Sequence, residues 1–323
     1  MLRTISRSPV LRRILTIVGT LFGVAVVVFV MLRAIPGDQI TAGLGTEAAA
    51  LTPEQRTQLE AYYGLDQPLV VQFFSWLGNM FTGNFGFSSR AQESVLALTA
   101  MSLPVTLELA VIAIVLALVI GVPLGMLSAS KPDSARDAVG QTVALAGLSV
   151  PAFLLGTTLL SVLSANLGFN PNGQAFAYFF QNPILNLQQM LLPGLVLGFG
   201  IAAPIIRTTR AAVLEIRSND FIRTTRAKGV PPRRLQFRHV LRNALVPIVT
   251  MTGLQFGYLL GGAVVVEQIF SLPGVGRQVL LGIQQKEYAL VQSTVLFIAL
   301  AFVIVNLLTD LMYRIIDPRV RAA

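Results

Sequence analysis

Cysteine is absent from this chain of 323 residues, and His239 is its only histidine. The first fact removes disulfides, thiolate metal ligands and cysteine nucleophiles together; the second removes His-cluster metal sites and multi-histidine proton relays. No G-x-x-x-x-G-K-[ST] segment occurs, so the chain has no phosphate-cradling loop of its own. No G-x-S-x-G segment presents a serine nucleophile, and His239, set in a basic stretch, reads as a structural or docking residue. Catalytic and metal-binding residues are therefore expected to be none. What remains falls into two sets. Glu108, Gln141, Gln255, Tyr258, Asn306 and Asp310 lie within apolar runs. Polar groups there either mark a path through the membrane or make interhelical hydrogen bonds. Asp310, four residues before Arg314, reads as an interfacial ion pair rather than a proton relay. The second set is a cluster of ten Lys and Arg residues within 207–242.

The elements that must position these groups follow from composition. Hydrophobic residues make up 54% of the chain and charged residues 12%, against roughly a quarter charged in a soluble domain; the mean hydropathy is +0.70. Such a chain lacks the polar surface to clothe itself in water, which points to an all-α polytopic membrane protein. Its length fits about six spans of ~20 residues with their loops. Six apolar runs qualify, at 14–35, 103–127, 139–163, 190–206, 245–266 and 290–312, the fourth being the shortest. Gly and Pro inside them (Pro123, Pro151, Gly156, Gly198, Gly200) suit close helix contacts in a bundle. The first run ends without a small-x-small cleavage site and reads as a retained span.

Lysine and arginine set the orientation. With a cytoplasmic N-terminus, 19 of the 24 basic residues fall inside and 5 outside, whereas 9 of the 15 acidic residues fall outside. The positive-inside rule thus predicts that both termini are cytoplasmic. The net charge of +9 is then a transverse asymmetry rather than a nucleic-acid signal. The chain divides into residues 1–35 (N-terminus and first span), 36–102 (an extracytoplasmic loop) and 103–323 (a core bundle with a hairpin at 207–243). In the outer loop, Thr52-Pro53-Glu54-Gln55 supplies a Thr N-cap with Pro at N1 and predicts a short helix ending near Tyr63-Gly64. Residues 70–77, too short to span and carrying the only Trp, read as an interfacial helix. Residues 166–187, without charge, read as a second outer loop, a re-entrant course being open.

In the basic segment, Ser218-Asn219-Asp220 offers N-caps for a helix over 221–228. Gly229 suits a left-handed terminus, and Pro231-Pro232 stops that helix while starting another that runs to about Ala244. Phe237, Leu241 and Leu245 form the expected apolar stripe of the second helix, with Arg233, Arg234, Arg238 and Arg242 around it. Three uses compete for this hairpin: arginines resting on lipid phosphates, a nucleic-acid helix-turn-helix, or a docking element for a cytoplasmic partner. Tethering to the membrane at both ends argues against the second. The defined turn favours the third, since a lipid-facing loop needs none.

The run Asp220-Phe221-Ile222-Arg223-Thr224-Thr225-Arg226-Ala227-Lys228-Gly229, continuing to Arg238-His239-Val240-Leu241-Arg242-Asn243-Ala244, resembles the EAA loop of ABC importer permeases. It is most similar to the form found in the dipeptide/oligopeptide (and nickel) permease family. The general pattern has Glu where Arg223 stands, and Ile and Pro where His239 and Arg242 stand. The resemblance runs along nearly the whole chain: Ile35-Pro36-Gly37-Asp38, Tyr63-Gly64-Leu65-Asp66-Gln67-Pro68, Trp76-Leu77-Gly78-Asn79, Gly83-Asn84-Phe85-Gly86 (Asn84 for the usual Asp), Leu103-Pro104-Val105-Thr106-Leu107-Glu108, Glu267-Gln268-Ile269-Phe270-Ser271-Leu272-Pro273-Gly274-Val275-Gly276 and Ile316-Asp317-Pro318-Arg319.

The resemblance implies a type I ABC importer transmembrane-domain fold and a B-type permease subunit of the bacterial plasma membrane. That subunit would carry di- or oligopeptides handed over by an extracytoplasmic binding protein, with a nickel chelate or another small solute as the alternative cargo. It implies a homologous C-type permease as partner and two ATPase subunits, which would hold ATP and Mg, this chain binding no cofactor. ATPase coupling would fall to Asp220, Arg223, Thr224, Thr225, Arg226, Ala227, Lys228, Gly229, Arg233, Arg234, His239 and Arg242. Gln255, Tyr258 and Asn306 would line the path, because amide and hydroxyl groups suit a peptide. Residues 36–102 would form part of the binding-protein platform. A stand-alone secondary transporter would instead show midplane charges or inverted repeats, and neither is evident; a transport-free membrane scaffold is the third class.

Overall fold

A computed structural model describes residues 9–34, 40, 49–62, 64–168 and 173–316. Residues 35–38, Tyr63 and 317–319 of the motifs above lie outside these, as do the side chains of Asp310 and Arg314. The chain opens with α1 (Pro9–Ala34), α2 (Pro53–Tyr62) and α3 (Leu69–Phe81), followed by a hairpin of β1 (Phe87–Ser88) and β2 (Glu93–Ser94). Then come α4 (Val95–Ser130), α5 (Ala135–Ser149), α6 (Ala152–Leu167), α7 (Pro183–Ser218) and α8 (Asp220–Ala227). The short α9 (Pro232–Arg234) leads through a π-helical segment (Leu235–Leu241) into α10 (Arg242–Ile269), followed by α11 (Val275–Gln284) and α12 (Tyr288–Ile316).

Among the described residues four stretches are long and apolar enough to cross a membrane: Leu11–Ala34, Val95–Ser130, Pro183–Ser218 and Tyr288–Thr309. Two bent pairs bring the number to six if each counts as one span. The third run is such a pair, correcting the single span read at 139–163: α5 and α6 meet at 99°. Pro151 is the cause. It supplies no N–H to continue α5, and it drives Val150 into extended backbone (φ −89°, ψ 115°). The fourth run is not the shortest but belongs to a helix of 36 residues, which tolerates Pro193 and Pro204 inside it. Asn182 caps that helix by accepting a hydrogen bond from Leu185 N–H at 3.1 Å, with Pro183 at N1. The outer loop read at 166–187 is therefore shorter, since 166–167 and 183–187 are helical.

Two compact units make up the chain, residues 1–104 with 277–303 and residues 105–276 with 304–323. In the first, α3 lays Phe73 against α1, where Phe29 meets it edge-on at 5.2 Å and Trp76 stacks on Phe29 at 6.2 Å. The other face of α3, with Leu69, Val70 and Phe74, is exposed, the two-sided character of an interfacial helix. Thr52 and Gln55 cap α2 reciprocally: Gln55 N–H donates to Thr52 Oγ1 and Thr52 N–H donates to Gln55 Oε1. Glu287 fastens the β-hairpin by accepting from Ser88 Oγ at 2.8 Å and from Arg90 N–H at 3.1 Å.

In the second unit, Leu109, Ala113 and Ala117 of α4 pack with Met190, Leu197, Ile201 and Ile205 of α7 and with Phe256, Leu259 and Val266 of α10. α4 and α7 approach closely because small residues face each other. A Cβ on Gly198 would sit 2.7 Å from the Ala113 carbonyl oxygen, and one on Gly125 would sit 2.7 Å from that of Ile206. Glu267, fully buried, accepts from Thr106 Oγ1 and occupies a notch that a Cβ on Gly274 would fill. Thr106 Oγ1 in turn accepts from Val275 N–H at 2.9 Å. A Cβ on Gly276 would sit 2.8 Å from Val264 Cα, so the Glu267-to-Gly276 stretch needs both its glycines.

Gly198→Val is expected to overpack the α4–α7 contact at a cost of about 1–3 kcal/mol. Thermal unfolding of the purified protein should show a lower midpoint, whereas an unchanged midpoint would mean that the helices separate freely.

Candidate functional site

The basic hairpin is a folded body. Its first arm is α8, ending where expected: Gly229 takes φ +75°, and its N–H donates to Arg226 C=O at 3.0 Å. Asn219 holds the N-cap position without a side-chain cap bond; its amide donates instead to Glu215 C=O at 3.4 Å. Pro231 and Pro232 start the second arm as read from the sequence.

The apolar stripe of that arm differs from the expected one. Phe237 and Leu245 are exposed, Leu241 is half-buried against the core, and the buried residues are Leu235, Val240, Ala244 and Ile248. The π turn accounts for the shift. A five-residue repeat separates Leu235 from Val240, and the ordinary four-residue repeat of α10 then carries the face through Ala244 and Ile248. These residues, with Ile222 of α8, Ala212 and Val213 of α7 and Ala129 of α4, form one core beneath the hairpin.

Two arginines that sequence reasoning had counted only as inner-side charges fix this body in place. Arg217 Nη1 donates to Ala129 C=O at 2.7 Å and its Nη2 donates to Gln236 Oε1 at 2.9 Å, joining the end of α4 to both sides of the hairpin. Arg210 makes a two-pronged pair with Asp137, Nε to Oδ1 at 2.8 Å and Nη2 to Oδ2 at 2.7 Å. Asp137 is 1% exposed and also accepts from Asp133 N–H, Gln141 Nε2 and Ser128 Oγ. The only hint of this in the sequence was Asp137 and Gln141 at helical spacing before an apolar run.

The outward side carries the residues read as coupling groups. Asp220, Arg223, Thr224, Arg226, Ala227, Lys228, Gly229, Arg233, Arg234 and Arg242 are exposed, while Thr225 and His239 are half-buried. Between the charges stand two exposed aromatics, Phe221 at 44% and Phe237 at 56%, the second of which the sequence reading had placed in the apolar stripe. Aromatic anchors among arginines are the composition of a protein-binding surface. The Arg223–Asp220 pair, 3.8 Å long and exposed on both sides, adds little.

The second candidate set separates. Gln255 and Tyr258 of α10 line one cavity of about 500 Å³, whose wall includes Pro151, Gly200, Pro204 and Gly262. Tyr258 is 76% exposed. Asn306 is half-buried on α12 and is not among the residues of this cavity. Glu108 accepts from Asn186 Nδ2 at 3.3 Å, and that amide also donates to Ala177 C=O, so this carboxylate belongs to a loop clasp. Among the described residues no group of three His, Asp or Glu side chains is placed to hold a metal ion.

Residues 121–322 match the family described as "Binding-protein-dependent transport system inner membrane component", and residues 7–110 match "Binding-prot-dependent transport system membrane comp, N-term". "Glutathione transport system permease protein GsiC" of Escherichia coli (strain K12) is 38% identical over 313 residues, which are 97% of this chain and 98% of that protein. The protein of the same name from Shigella dysenteriae serotype 1 (strain Sd197) is also 38% identical. Two inward-facing structures of the MetNI methionine ABC transporter share the fold. One has a TM-score of 0.55 at 18% identity, covering 72% of this chain and 100% of that one. The other has a TM-score of 0.53 at 17% identity, covering 68% and 96%.

Removing one partner of the Asp137–Arg210 pair leaves the other without its two-pronged hydrogen bonds and its counter-charge. Asp137→Ala is expected to lower the thermal unfolding midpoint, and Asp137→Leu combined with Arg210→Met to recover much of the loss. A double variant no better than the single one would contradict the assignment.

Proposed function

The chain belongs to the family of binding-protein-dependent transport system inner membrane components, and from that membership we propose how its parts divide the work of import. It is a multi-pass membrane protein with the type I importer fold, a permease subunit of an ABC importer. We assign the hairpin at 207–243 the role of coupling element. A homologous C-type permease completes the translocation path, and two ATPase subunits grip the hairpins. Those ATPases hold ATP and Mg and carry out hydrolysis, this chain binding no cofactor. Both termini and the hairpin lie on the cytoplasmic side, a placement supported by the distribution of lysine and arginine. An extracytoplasmic binding protein delivers cargo to the platform formed by residues 36–102.

The observation that carries this reading is the two-sided hairpin, with Ile222, Leu235 and Val240 buried beneath and arginines with Phe221 and Phe237 outward. A coupling element must move as one body, since a floppy loop would absorb the stroke of the ATPases. Positive arms speed encounter with acidic ATPase surfaces and fix register, and the aromatics supply the anchors. ATP-driven closure draws the two hairpins together and turns the path outward, and hydrolysis resets it. Gln255 and Tyr258 face that path, where amide and hydroxyl groups hydrogen-bond a peptide backbone without fixing its side chains. Small peptides are the cargo class; the 38%-identical relative is named for glutathione, itself a peptide.

Reconstituted alone, the chain should neither transport peptide nor hydrolyse ATP; with its partners it should do both. A β-branched residue at Gly229, whose φ is +75°, meets a strain of about 1–2 kcal/mol. Gly229→Val should then lower peptide uptake per ATP hydrolysed by about tenfold while hydrolysis persists. Normal coupling in that variant would overturn the hairpin's role.

A further inference from the structure

The first unit holds a cavity to which the proposed function assigns no role. A cavity of about 660 Å³ is lined by Arg33, Gln72, Trp76, Tyr288 and Gln292 among others. Three hydrogen-bond donors on its wall are shielded from water and have no partner among the described residues: Arg33 Nη1, Trp76 Nε1 and Gln292 Nε2. Gln292 is 3% exposed. Native structures rarely leave buried donors unpaired, and here a cation, an indole and an amide share one chamber. The guanidinium is held rigidly. Its Nε and Nη2 donate to Gln72 Oε1 at 3.1 and 2.7 Å, and its Cζ lies 3.5 Å from the centre of the Phe29 ring. Gln72 is itself fixed through Nε2, which donates to Gln67 C=O at 2.8 Å. Three donors and no facing carboxylate among the described residues call for an anionic, acceptor-rich group, and the volume lies within the range of small-ligand sites.

A second cavity of about 480 Å³ begins at the same arginine. Its wall includes Val26, Phe29, Val30, Val70 and Phe74 and is apolar but for Arg33. Val30, Val70 and Phe74 are exposed. The transmembrane part of α1, Leu11–Ala34, has 24 residues. At 1.5 Å each it is just longer than the ~30 Å of hydrocarbon, so Arg33 stands at headgroup level. A polar chamber and an apolar groove meeting at one arginine at that depth match a molecule with an anionic head and a hydrocarbon tail.

We propose that the Arg33 chamber and the adjoining groove between α1 and α3 bind a phospholipid, the phosphate taken by Arg33, Trp76 and Gln292 and an acyl chain laid against Val30, Val70 and Phe74. The lipid locks the interfacial helix to the first span. The site is independent of the cargo and of the hairpin's role.

Native mass spectrometry of the delipidated permease–ATPase complex, re-exposed to dioleoyl phosphatidylglycerol, tests this. The wild-type complex should retain one lipid that both Arg33→Gln, which removes the cation, and Val30→Trp, which fills the groove, lose. Gln292→Leu, a milder change, should weaken retention while the complex stays monodisperse. Equal retention in all four proteins would overturn the proposal. Inorganic phosphate is the second probe. Phosphate bound through Arg33, with lipid retention indifferent to Val30→Trp, would assign the chamber to a soluble anion and also overturn it.

Discussion

Burial of Ile222, Leu235 and Val240 beneath the basic hairpin is the interaction on which the functional architecture rests. Ten cationic residues lie within 207–242, and their mutual repulsion opposes a compact turn. Two exposed charges about 10 Å apart in water repel by roughly 0.4 kcal/mol before salt screening. Fully burying one aliphatic side chain is worth about 1.5–3 kcal/mol. Salt confines that repulsion to neighbouring pairs, and each buried aliphatic side chain offsets several of them, so the arginines can remain outward. Arg217, bonded to Ala129 and Gln236, and Arg210, paired with Asp137, turn two of those cations into fastenings rather than liabilities.

The turn itself was legible in the sequence because its determinants are local. Gly229, Pro231 and Pro232 act through backbone geometry within a few residues, and the structure places all three as read. The same holds for the Thr52–Gln55 capping box. The buried face of the second arm was not legible. Phe237, Leu241 and Leu245 fit an ideal helical stripe, and nothing in their spacing announces the π turn that rotates Leu235 and Val240 inward instead. Nor does the identity of Pro151 distinguish a kinked span from a 99° corner, since Pro193 and Pro204 sit within one continuous helix. That difference depends on which neighbours satisfy the freed backbone groups.

Buried polar residues follow the same division. Glu267 stood in the sequence only within a family-like stretch and Asp137 was not singled out, but each is enclosed and hydrogen-bonded. Glu267 requires the close approach of Gly274, and Asp137 requires α7 to bring Arg210 from 73 residues away. Local patterning shows at most the Asp137–Gln141 spacing and not the distant partner. The exposed aromatics Phe221 and Phe237 were hidden for the opposite reason, because an aromatic in a helix is read as core until the fold shows it facing out.

The absence of cysteine makes the central claim directly measurable. A single cysteine placed at Phe237 or Thr224 in the assembled transporter should cross-link to the ATPase subunits, whereas one at Val139 should not. ATP binding should change the yield at the hairpin positions while the Val139 control stays uncross-linked. A hairpin cysteine that labels equally with and without the ATPases, and forms no cross-link in either nucleotide state, would show that the hairpin is not the coupling element.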